Sequence, residues 1–243
     1  MPQVDKKPYP ILVEERARET PDRTYAIIPK SNNLQDGFIN FTYNQLQKAI
    51  DSMSWWLDQN LGESVILETI AYMGASDLRY LFLYVAAIKT RRKVLSTLPF
   101  LMYGLITLQI LLPLFMNSRQ AQLSLLKSTN CQVLIASTDL VPHWNSLSPE
   151  VDGFKILTMP PFEHFSNDHD VVPYPFTKTW DEVKHDPIYI AQTSGTTGPF
   201  FNAAIHYGTK LLTMSQACQN QSNTLVTCSP FGATEAPNYS STM

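Results

Sequence analysis

Four side-chain hydroxyls and two glycines lie within six consecutive residues near position 195. The segment reads Thr193-Ser194-Gly195-Thr196-Thr197-Gly198, and it follows a short apolar run from Ile188 to Ala191. Glycine lets backbone N–H groups turn toward an anion without an obstructing Cβ, and hydroxyls can donate hydrogen bonds to phosphate oxygens. No Gly-Lys-Ser/Thr follows, so the segment is not a Walker loop. The pattern predicts a phosphate-binding loop that follows a strand, and the alternative is a polar surface turn.

The composition limits the functions that this loop could serve. The chain has 243 residues, of which 44% are hydrophobic and 16% are charged, and its formal net charge is -3. That length is ample for a buried core. The composition excludes disorder, collagen-like repeats and coiled coil as descriptions of the whole chain. Lys and Arg do not outnumber Asp and Glu, so no basic excess indicates a nucleic-acid partner.

The cysteines and the first residues bear on localisation. Cys131, Cys218 and Cys228 show no metal-ligand spacing, and scattered cysteines in a chain of this size indicate reduced thiols. The first ten residues contain no apolar segment of the kind that a secretory signal needs. These features predict a cytoplasmic protein.

One apolar segment supports a different localisation. The 25 residues between Lys93 and Arg119 carry no charge, so residues 94–116 are long enough to anchor the chain in a membrane. Pro99, Pro113 and several polar residues count against a spanning helix. We do not favour the membrane anchor, and the other interpretation is an apolar insertion or a buried strand, loop and helix.

Helical and strand-like patterns alternate along the chain. They predict an α/β fold with a mostly parallel sheet covered on both faces by helices. Residues 160–187 are rich in proline and predict a surface connection. The predicted helices are 11–19, 42–60 with Thr42 as N-cap, 76–89 with Ser76 as N-cap, 118–128 and 209–219, and the predicted strands are 25–28, 65–72, 132–136, 154–159 and 188–191.

The helix predicted at 42–60 has one apolar stripe at helical spacing, which predicts a core-facing side. Trp55 and Trp56 lie beside this stripe, and we interpret them as packing residues rather than as a ligand platform. The stripe consists of Leu46, Ile50, Met53 and Leu57.

The hydroxyl-rich segment at 193–198 resembles the phosphate-binding signature of adenylate-forming enzymes, which include acyl-CoA synthetases, luciferases and nonribosomal peptide synthetase (NRPS) adenylation domains. Segments 69–80 and 123–131 are similar to fungal NRPS-like adenylate-forming reductases, and segments 14–22 and 41–46 are similar to the opening of the family's domain. The resemblance implies a partial N-terminal subdomain of the adenylate-forming fold over residues 1–219. It also implies an apolar insertion at about 96–110, for which an unspliced intron is one origin, and an irregular tail at 220–243.

The resemblance implies ATP-dependent activation of a carboxylic acid in secondary metabolism, which yields an acyl-adenylate and pyrophosphate with the help of Mg²⁺. ATP or AMP and a carboxylic acid would be the partners, and no phosphopantetheine or NADPH site is expected in this chain. The residues that would bind the ATP phosphates are Thr193, Ser194, Gly195, Thr196, Thr197 and Gly198.

A second segment resembles another family motif, in which a threonine meets phosphate and a glutamate helps to hold Mg²⁺. The segment runs from Phe231 to Glu235, so Thr234 and Glu235 would have these roles. Only 36 positions separate Gly195 from Phe231, whereas the family has the substrate-binding half of the domain in between. This spacing favours a chance match over an internal deletion.

The sequence also departs from the family pattern. Where the family places a lysine three residues after the loop's last glycine, this chain has Phe201. The family's adenine-ribose aspartate motif, its hinge and its C-terminal catalytic lysine are not found. We therefore expect a truncated adenylation-domain protein that is weakly active or inactive alone, with no catalytic residue identified, and whether the chain is itself an enzyme stays open. The alternatives are a non-catalytic module that binds a nucleotide or a partner, and a protein anchored through residues 94–116.

Overall fold

The computed structural model describes residues 6–31, 33–65, 67–74, 77–96, 119–146, 148–167, 170–193 and 201–206. Over these ranges the expected α/β architecture is confirmed, because a six-stranded, mostly parallel sheet lies between helices. The strands are β1 (Thr24–Pro29), β2 (Phe38–Thr42), β3 (Glu68–Met73), β4 (Arg92–Ser96), β5 (Cys131–Ala136), β6 (Lys155–Thr158), β7 (Pro187–Thr193) and β8 (Phe201–His206). The helices are α1 (Tyr9–Glu19), α2 (Tyr43–Leu61), α3 (Arg79–Lys89), α4 (Arg119–Ser128), α5 (Val141–Asn145), α6 (Phe162–Ser166) and α7 (Trp180–Val183).

The main sheet has the strand order β6-β5-β3-β4-β7-β8. Neighbouring strands from β6 to β7 pair in parallel, whereas β8 pairs antiparallel with β7. Ala71 of β3 pairs with Leu95 of β4, which in turn pairs with Ile190 of β7. The carboxyl ends of these parallel strands therefore meet at one edge of the sheet. The strands β1 and β2 form a separate antiparallel hairpin.

Successive residues of the central strand β3 face two different hydrophobic cores. Ile70 and Tyr72 belong to the core that contains residues of α1, α2 and α3, whereas Ala71 and Met73 belong to the core on the side of α4 and α5. This alternation follows from the period of two along an extended chain. Because both faces are buried, β3 reads as a nearly continuous apolar run, as expected for a parallel sheet.

Local sequence signals determine where helix α2 begins and ends. The Thr42 hydroxyl accepts a hydrogen bond from the Gln45 N–H at 3.3 Å, and the Gln45 side chain accepts one from the Thr42 N–H at 2.9 Å. This reciprocal capping box confirms the predicted N-cap. Gly62, with a φ of 75°, ends the helix in a conformation that glycine adopts without strain. The predicted stripe of α2 is fully buried, with exposures of 0 to 1%, and each such side chain contributes about 1.5–3 kcal/mol.

A buried lysine connects the first three helices. Lys89, at the end of α3, has a side chain that is 1% exposed, and its Nζ lies 2.6 Å from Asp51 Oδ1 on α2. The same Nζ lies 2.9 Å from Glu14 Oε1 on α1. Asp51 also accepts a hydrogen bond from Gln47 at 2.8 Å. The positive charge is therefore fully compensated inside the core, as a buried charge requires.

An extended segment, residues 170–179, crosses the outside of α2 and leads into α7 and β7. Trp55 donates its indole hydrogen to the Val172 carbonyl oxygen at 2.8 Å, and the Tyr174 hydroxyl donates to Asp58 Oδ2 at 2.5 Å. Asp58 Oδ1 lies 2.9 Å from Nη1 of Arg92, the first residue of β4. Trp55 thus packs against this segment, in agreement with the packing role that the sequence predicts.

Two predicted boundaries were wrong. The strand expected from Val65 begins only at Glu68, because Leu67 has a φ of 53° and Val65 is 76% exposed. A left-handed residue interrupts an extended strand. The helix expected from Ser76 begins at Arg79, with Leu78 as its N-cap. The Asp77 side chain accepts a hydrogen bond from the Arg79 N–H at 2.9 Å and so satisfies the first orphan donor of the helix.

Two further expectations need correction. Strand β2 was not predicted, since its exposed Phe38 and Ile39 give no alternation between apolar and polar residues. Residues 160–187 are more than a surface connection, because they contain α6 and α7 and bury Phe165 and Phe176.

Several predictions fall on parts of the chain outside the described residues. These are the helix at 209–219, the tail at 220–243 and all but the first residue of the insertion at 96–110. The division into a domain at 1–219 and a tail therefore stays a prediction. Within the described ranges, no helix has the length and apolar character that a membrane crossing requires.

Candidate functional site

The structure places only one residue of the predicted phosphate loop. Thr193 is the last residue of β7, whereas Ser194, Gly195, Thr196, Thr197 and Gly198 lie outside the described residues. Thr234 and Glu235 also lie outside them. The structure therefore neither gathers nor separates these side chains, and their roles stay predictions. What it does show is where the backbone enters and leaves the loop.

The loop joins two paired strands at the carboxyl edge of the sheet. Thr193 of β7 pairs with Phe201 of β8 in an antiparallel register, so residues 194–200 connect neighbouring strand ends. Strand β7 runs parallel to β4, with Ser96 opposite Ala191. Phe201 is thus the first residue of β8. In the family that the sequence resembles, a lysine occupies this position.

This edge also contains the point at which the sheet's connections diverge. From β3 the chain continues to β4 on one side, whereas from β5 it continues to β6 on the other side. In open α/β sheets, ligands bind outside the carboxyl ends of strands at such a switch point. The loop follows β7, so it begins at the same edge of the sheet as this switch point, which lies between β5 and β3.

A tyrosine and a glycine approach each other closely at the same edge. The Tyr72 hydroxyl is buried and has no hydrogen-bond partner among the described residues, and a Cβ on Gly74 would collide with it. Burial, with a smaller contribution from the Asp77 carboxylate, raises the pKa of the Tyr72 hydroxyl above its ordinary value. The phenol therefore stays neutral at physiological pH and can donate or accept a hydrogen bond. Sequence reasoning missed this pair, and the only available signal was a glycine directly after a strand.

The charged groups beside Tyr72 are already engaged. The Arg79 guanidinium binds Asp77 through Nε at 3.0 Å and Nη2 at 2.6 Å, and its Nη1 donates to the Pro160 carbonyl oxygen at 3.0 Å. These contacts fasten the start of α3 to the chain that follows β6. Arg79 is consequently a positioning residue for this edge and does not replace the lysine that the loop lacks.

The described residues contain neither a metal-binding cluster nor a reactive thiol. No group of three or more His, Cys, Asp or Glu side chains in this part of the chain could hold a metal ion. Cys131 is buried, and burial raises the pKa of its thiol to about 12. Since the thiolate is the reactive form, Cys131 is a packing residue.

Comparisons with known proteins identify relatives of this chain. No family model matches it. It is 30% identical over 191 residues to a carboxylic acid reductase of Neurospora crassa, an alignment that covers 77% of this chain and 16% of the relative. It is 26% identical over 192 residues to an isocyanide synthase–NRPS hybrid of Aspergillus fumigatus, covering 78% of this chain and 11% of the relative. The chain thus spans less than a fifth of the length of these curated relatives.

The fold resembles solved structures of adenylate-forming enzymes. The N-terminal subdomain of NpsA from Klebsiella oxytoca, solved in complex with 3-hydroxybenzoyl-AMSN, matches with a TM-score of 0.55 and 17% identity. The match covers 83% of this chain and 41% of the solved chain. In sequence and fold the chain therefore resembles the N-terminal part of adenylate-forming enzymes of the NRPS-like kind.

Proposed function

Because of this likeness, we propose that the chain binds the phosphates of ATP at residues 193–198 and serves the ATP-dependent activation of a carboxylic acid. The observation that carries the proposal is the position of these residues between β7 and β8, at the carboxyl edge of the parallel sheet. Both named relatives, the reductase and the NRPS hybrid, are fungal proteins, in keeping with a role in secondary metabolism.

The donor set of the loop fits ATP. Its hydroxyls donate hydrogen bonds, and its two glycines allow backbone N–H groups to approach an anion. Both kinds of donor suit phosphate oxygens and leave the adenine to other parts of the chain. Mg²⁺ offsets phosphate charge when bound. The carboxylate that the resemblance offers for it is Glu235, which lies in the segment whose spacing favours a chance match.

We also propose that this chain by itself completes adenylation weakly or not at all. A lysine at the phosphates would supply a fixed positive charge where charge develops in the transition state. Phe201 supplies no such charge. The guanidinium of Arg79, at the start of α3, is bound to Asp77 and to the Pro160 carbonyl oxygen.

Calorimetric titration of the full chain with ATP and Mg²⁺ tests the binding. We expect saturable binding that weakens by about tenfold or more in the Ser194→Ala/Thr197→Ala variant, because a hydrogen bond to a charged group contributes about 1.5–3 kcal/mol. The matched control is Ser52→Ala, which removes a hydroxyl from α2. Binding that is absent in the unmodified chain, or unchanged in the double variant, would contradict the phosphate-loop assignment.

A second assay tests the catalytic part separately. ATP–pyrophosphate exchange should stay near background with aromatic, fatty and amino acids. Robust exchange with any of these acids would show that the chain is a competent adenylating enzyme, and it would refute the second proposal while leaving the first intact.

A further inference from the structure

A cavity of about 100 Å³ lies at the edge of the sheet opposite to the candidate phosphate loop. Leu67, Arg91 and Asp186 line this cavity, and they directly precede β3, β4 and β7. We call it the amino-edge cavity. Its volume is that of about three water molecules at roughly 30 Å³ each, which is also sufficient for one small oxyanion.

One residue that lines the amino-edge cavity carries a buried donor without an acceptor among the described residues. Arg92 is 1% exposed and lines the cavity. Its Nη atoms bind Asp58 and the carbonyl oxygens of Thr90 and Gly62, but in the described part of the chain its Nε has no hydrogen-bond partner. The closest carboxylate oxygen, Oε2 of Glu68, is 3.7 Å from Nε, which is too far for a hydrogen bond. An acceptor in the cavity would satisfy this N–H.

The neighbouring arginine is held in an unusual conformation. Arg91 has a φ of 56°, and Leu67 across the cavity has a φ of 53°. Such values are uncommon for residues other than glycine, and strained residues of this kind cluster at functional sites. In the part of the chain that the structure describes, the Arg91 guanidinium has no hydrogen bond or ion pair. Its donors are therefore available to a ligand.

Lys178, Glu182 and Asp186 also line the cavity. Lys178 adds a cation, and Asp186 adds a hydrogen-bond acceptor. Glu182 accepts hydrogen bonds from the N–H and hydroxyl of Thr179 at 2.7 and 2.8 Å, and it lies 3.6 Å from Lys178 Nζ. The Glu182 carboxylate is thus occupied by hydrogen bonds from Thr179, the N-cap of α7. Asp186 has no such partner among the described side chains. The cavity therefore combines cationic donors with one carboxylate acceptor.

We propose that the amino-edge cavity binds a small oxyanion that carries a proton, of the phosphate class. Arg91, Arg92 Nε and Lys178 would donate to its oxygens, and the Asp186 carboxylate would accept its proton. Inorganic phosphate retains such a proton at neutral pH in both of its common forms, whereas a monoester, whose second pKa is about 6, retains one mainly below about pH 6. Sulfate has no proton, and the Asp186 carboxylate would repel it. The site is separate from residues 193–198, at the other end of the same strands.

Thermal unfolding of the full chain at about pH 6.5, titrated with inorganic phosphate, sulfate and phenyl phosphate, tests this proposal. We expect phosphate to raise the melting temperature in a saturable manner, since a ligand that binds only the native state stabilises it. Sulfate should bind about tenfold or more weakly, because a hydrogen bond to a charged group is replaced by repulsion. Phenyl phosphate distinguishes a site open to monoesters from one that takes only the free ion.

Three variants make the test specific. Arg91→Gly should retain or raise the melting temperature, because glycine suits a φ of 56°, and yet it should lose the response to phosphate. Asp186→Asn should bind phosphate and sulfate with similar affinity. Arg18→Gln, on the exposed side of α1, is the control and should respond like the unmodified chain.

The Ser194→Ala/Thr197→Ala variant separates this site from the proposed nucleotide loop. It should keep the full response to phosphate even though its ATP binding is weakened. A response that disappears in this variant would assign the phosphate to the loop and overturn the proposal. An unmodified chain that does not respond, or that responds equally to sulfate, would overturn it as well, as would an unchanged response in Arg91→Gly.

Discussion

Replacing Lys89 by methionine tests whether the buried ion pairs hold the first three helices together. The substitution keeps the length of the side chain and removes its charge. Asp51, whose side chain is 4% exposed, would then be a buried carboxylate whose one remaining hydrogen bond to a described side chain comes from Gln47. Glu14 is 33% exposed and would be solvated instead. The cost therefore comes almost entirely from Asp51.

The expected loss in the free energy of unfolding is about 3 kcal/mol. Breaking a buried ion pair by removing one partner costs about 3–5 kcal/mol, and the hydrogen bond from Gln47 places this case at the lower end. Adding Asp51→Asn removes the uncompensated charge, so the double variant should recover about half of the loss. If Asp51→Asn changes stability differently in the Lys89→Met variant than in the unmodified chain, the two residues are energetically coupled.

Equilibrium urea unfolding of the full chain measures these differences. Arg16→Met is the matched control, because Arg16 is 3.8 Å from Glu19 in a largely exposed pair and such pairs contribute at most about 1 kcal/mol. The slope of the transition should stay constant across the series, so that the midpoints report stability alone. Two results would show that the Lys89–Asp51 ion pair does not hold the helices together. One is a loss of stability in Lys89→Met no larger than in Arg16→Met. The other is a further loss of stability when Asp51→Asn is added to Lys89→Met.

Three further predictions concern the helix cap, the outer segment and the loop. Thr42→Ala should lower the free energy of unfolding by about 1 kcal/mol through loss of the capping box, measured by urea unfolding, whereas a neutral result would contradict it. Burial, followed by the hydrogen bond to Asp58, raises the pKa of Tyr174 above its ordinary value of 10.0; stability should therefore be complete below pH 10 and fall as the pH rises above it, and urea midpoints should show a smaller fall in Tyr174→Phe. Phe201→Lys should strengthen ATP binding by about tenfold through a charge-assisted contact in calorimetry, and an equal gain in Asn202→Lys would refute a specific position.

The elements that local chemistry defines could be predicted from the sequence. Helix α2 has a reciprocal cap at Thr42, a buried stripe and a terminal Gly62, and each of these is a short-range signal. The fold class followed from alternating patterns in the same way. The phosphate-loop prediction also rests on local composition, because hydroxyls and glycines crowd into residues 193–198, and it stays a prediction.

Features that depend on distant partners could not be predicted. In the sequence, Lys89 is the last residue of a predicted helix, and Arg92 follows shortly after it. Both are nevertheless buried, because Asp51 and Asp58 on α2 form ion pairs with them. The start of β3 was misplaced since nothing in the sequence indicates that Leu67 is left-handed. A pairing between residues more than 30 positions apart has no periodicity, so no pattern reveals it.

Strand β4, which precedes the apolar segment, ends beside the strand that leads into the candidate site. Strand β4 ends at Ser96, which pairs with Ala191 of β7, and paired strands are about 4.8 Å apart. Ala191 precedes Thr193 by two residues, and the loop begins there. Strand β4 therefore ends at the same edge of the sheet as β7, the strand that leads into the loop. The insertion that the sequence predicts at about 96–110 would therefore begin beside the strand that leads into the candidate site.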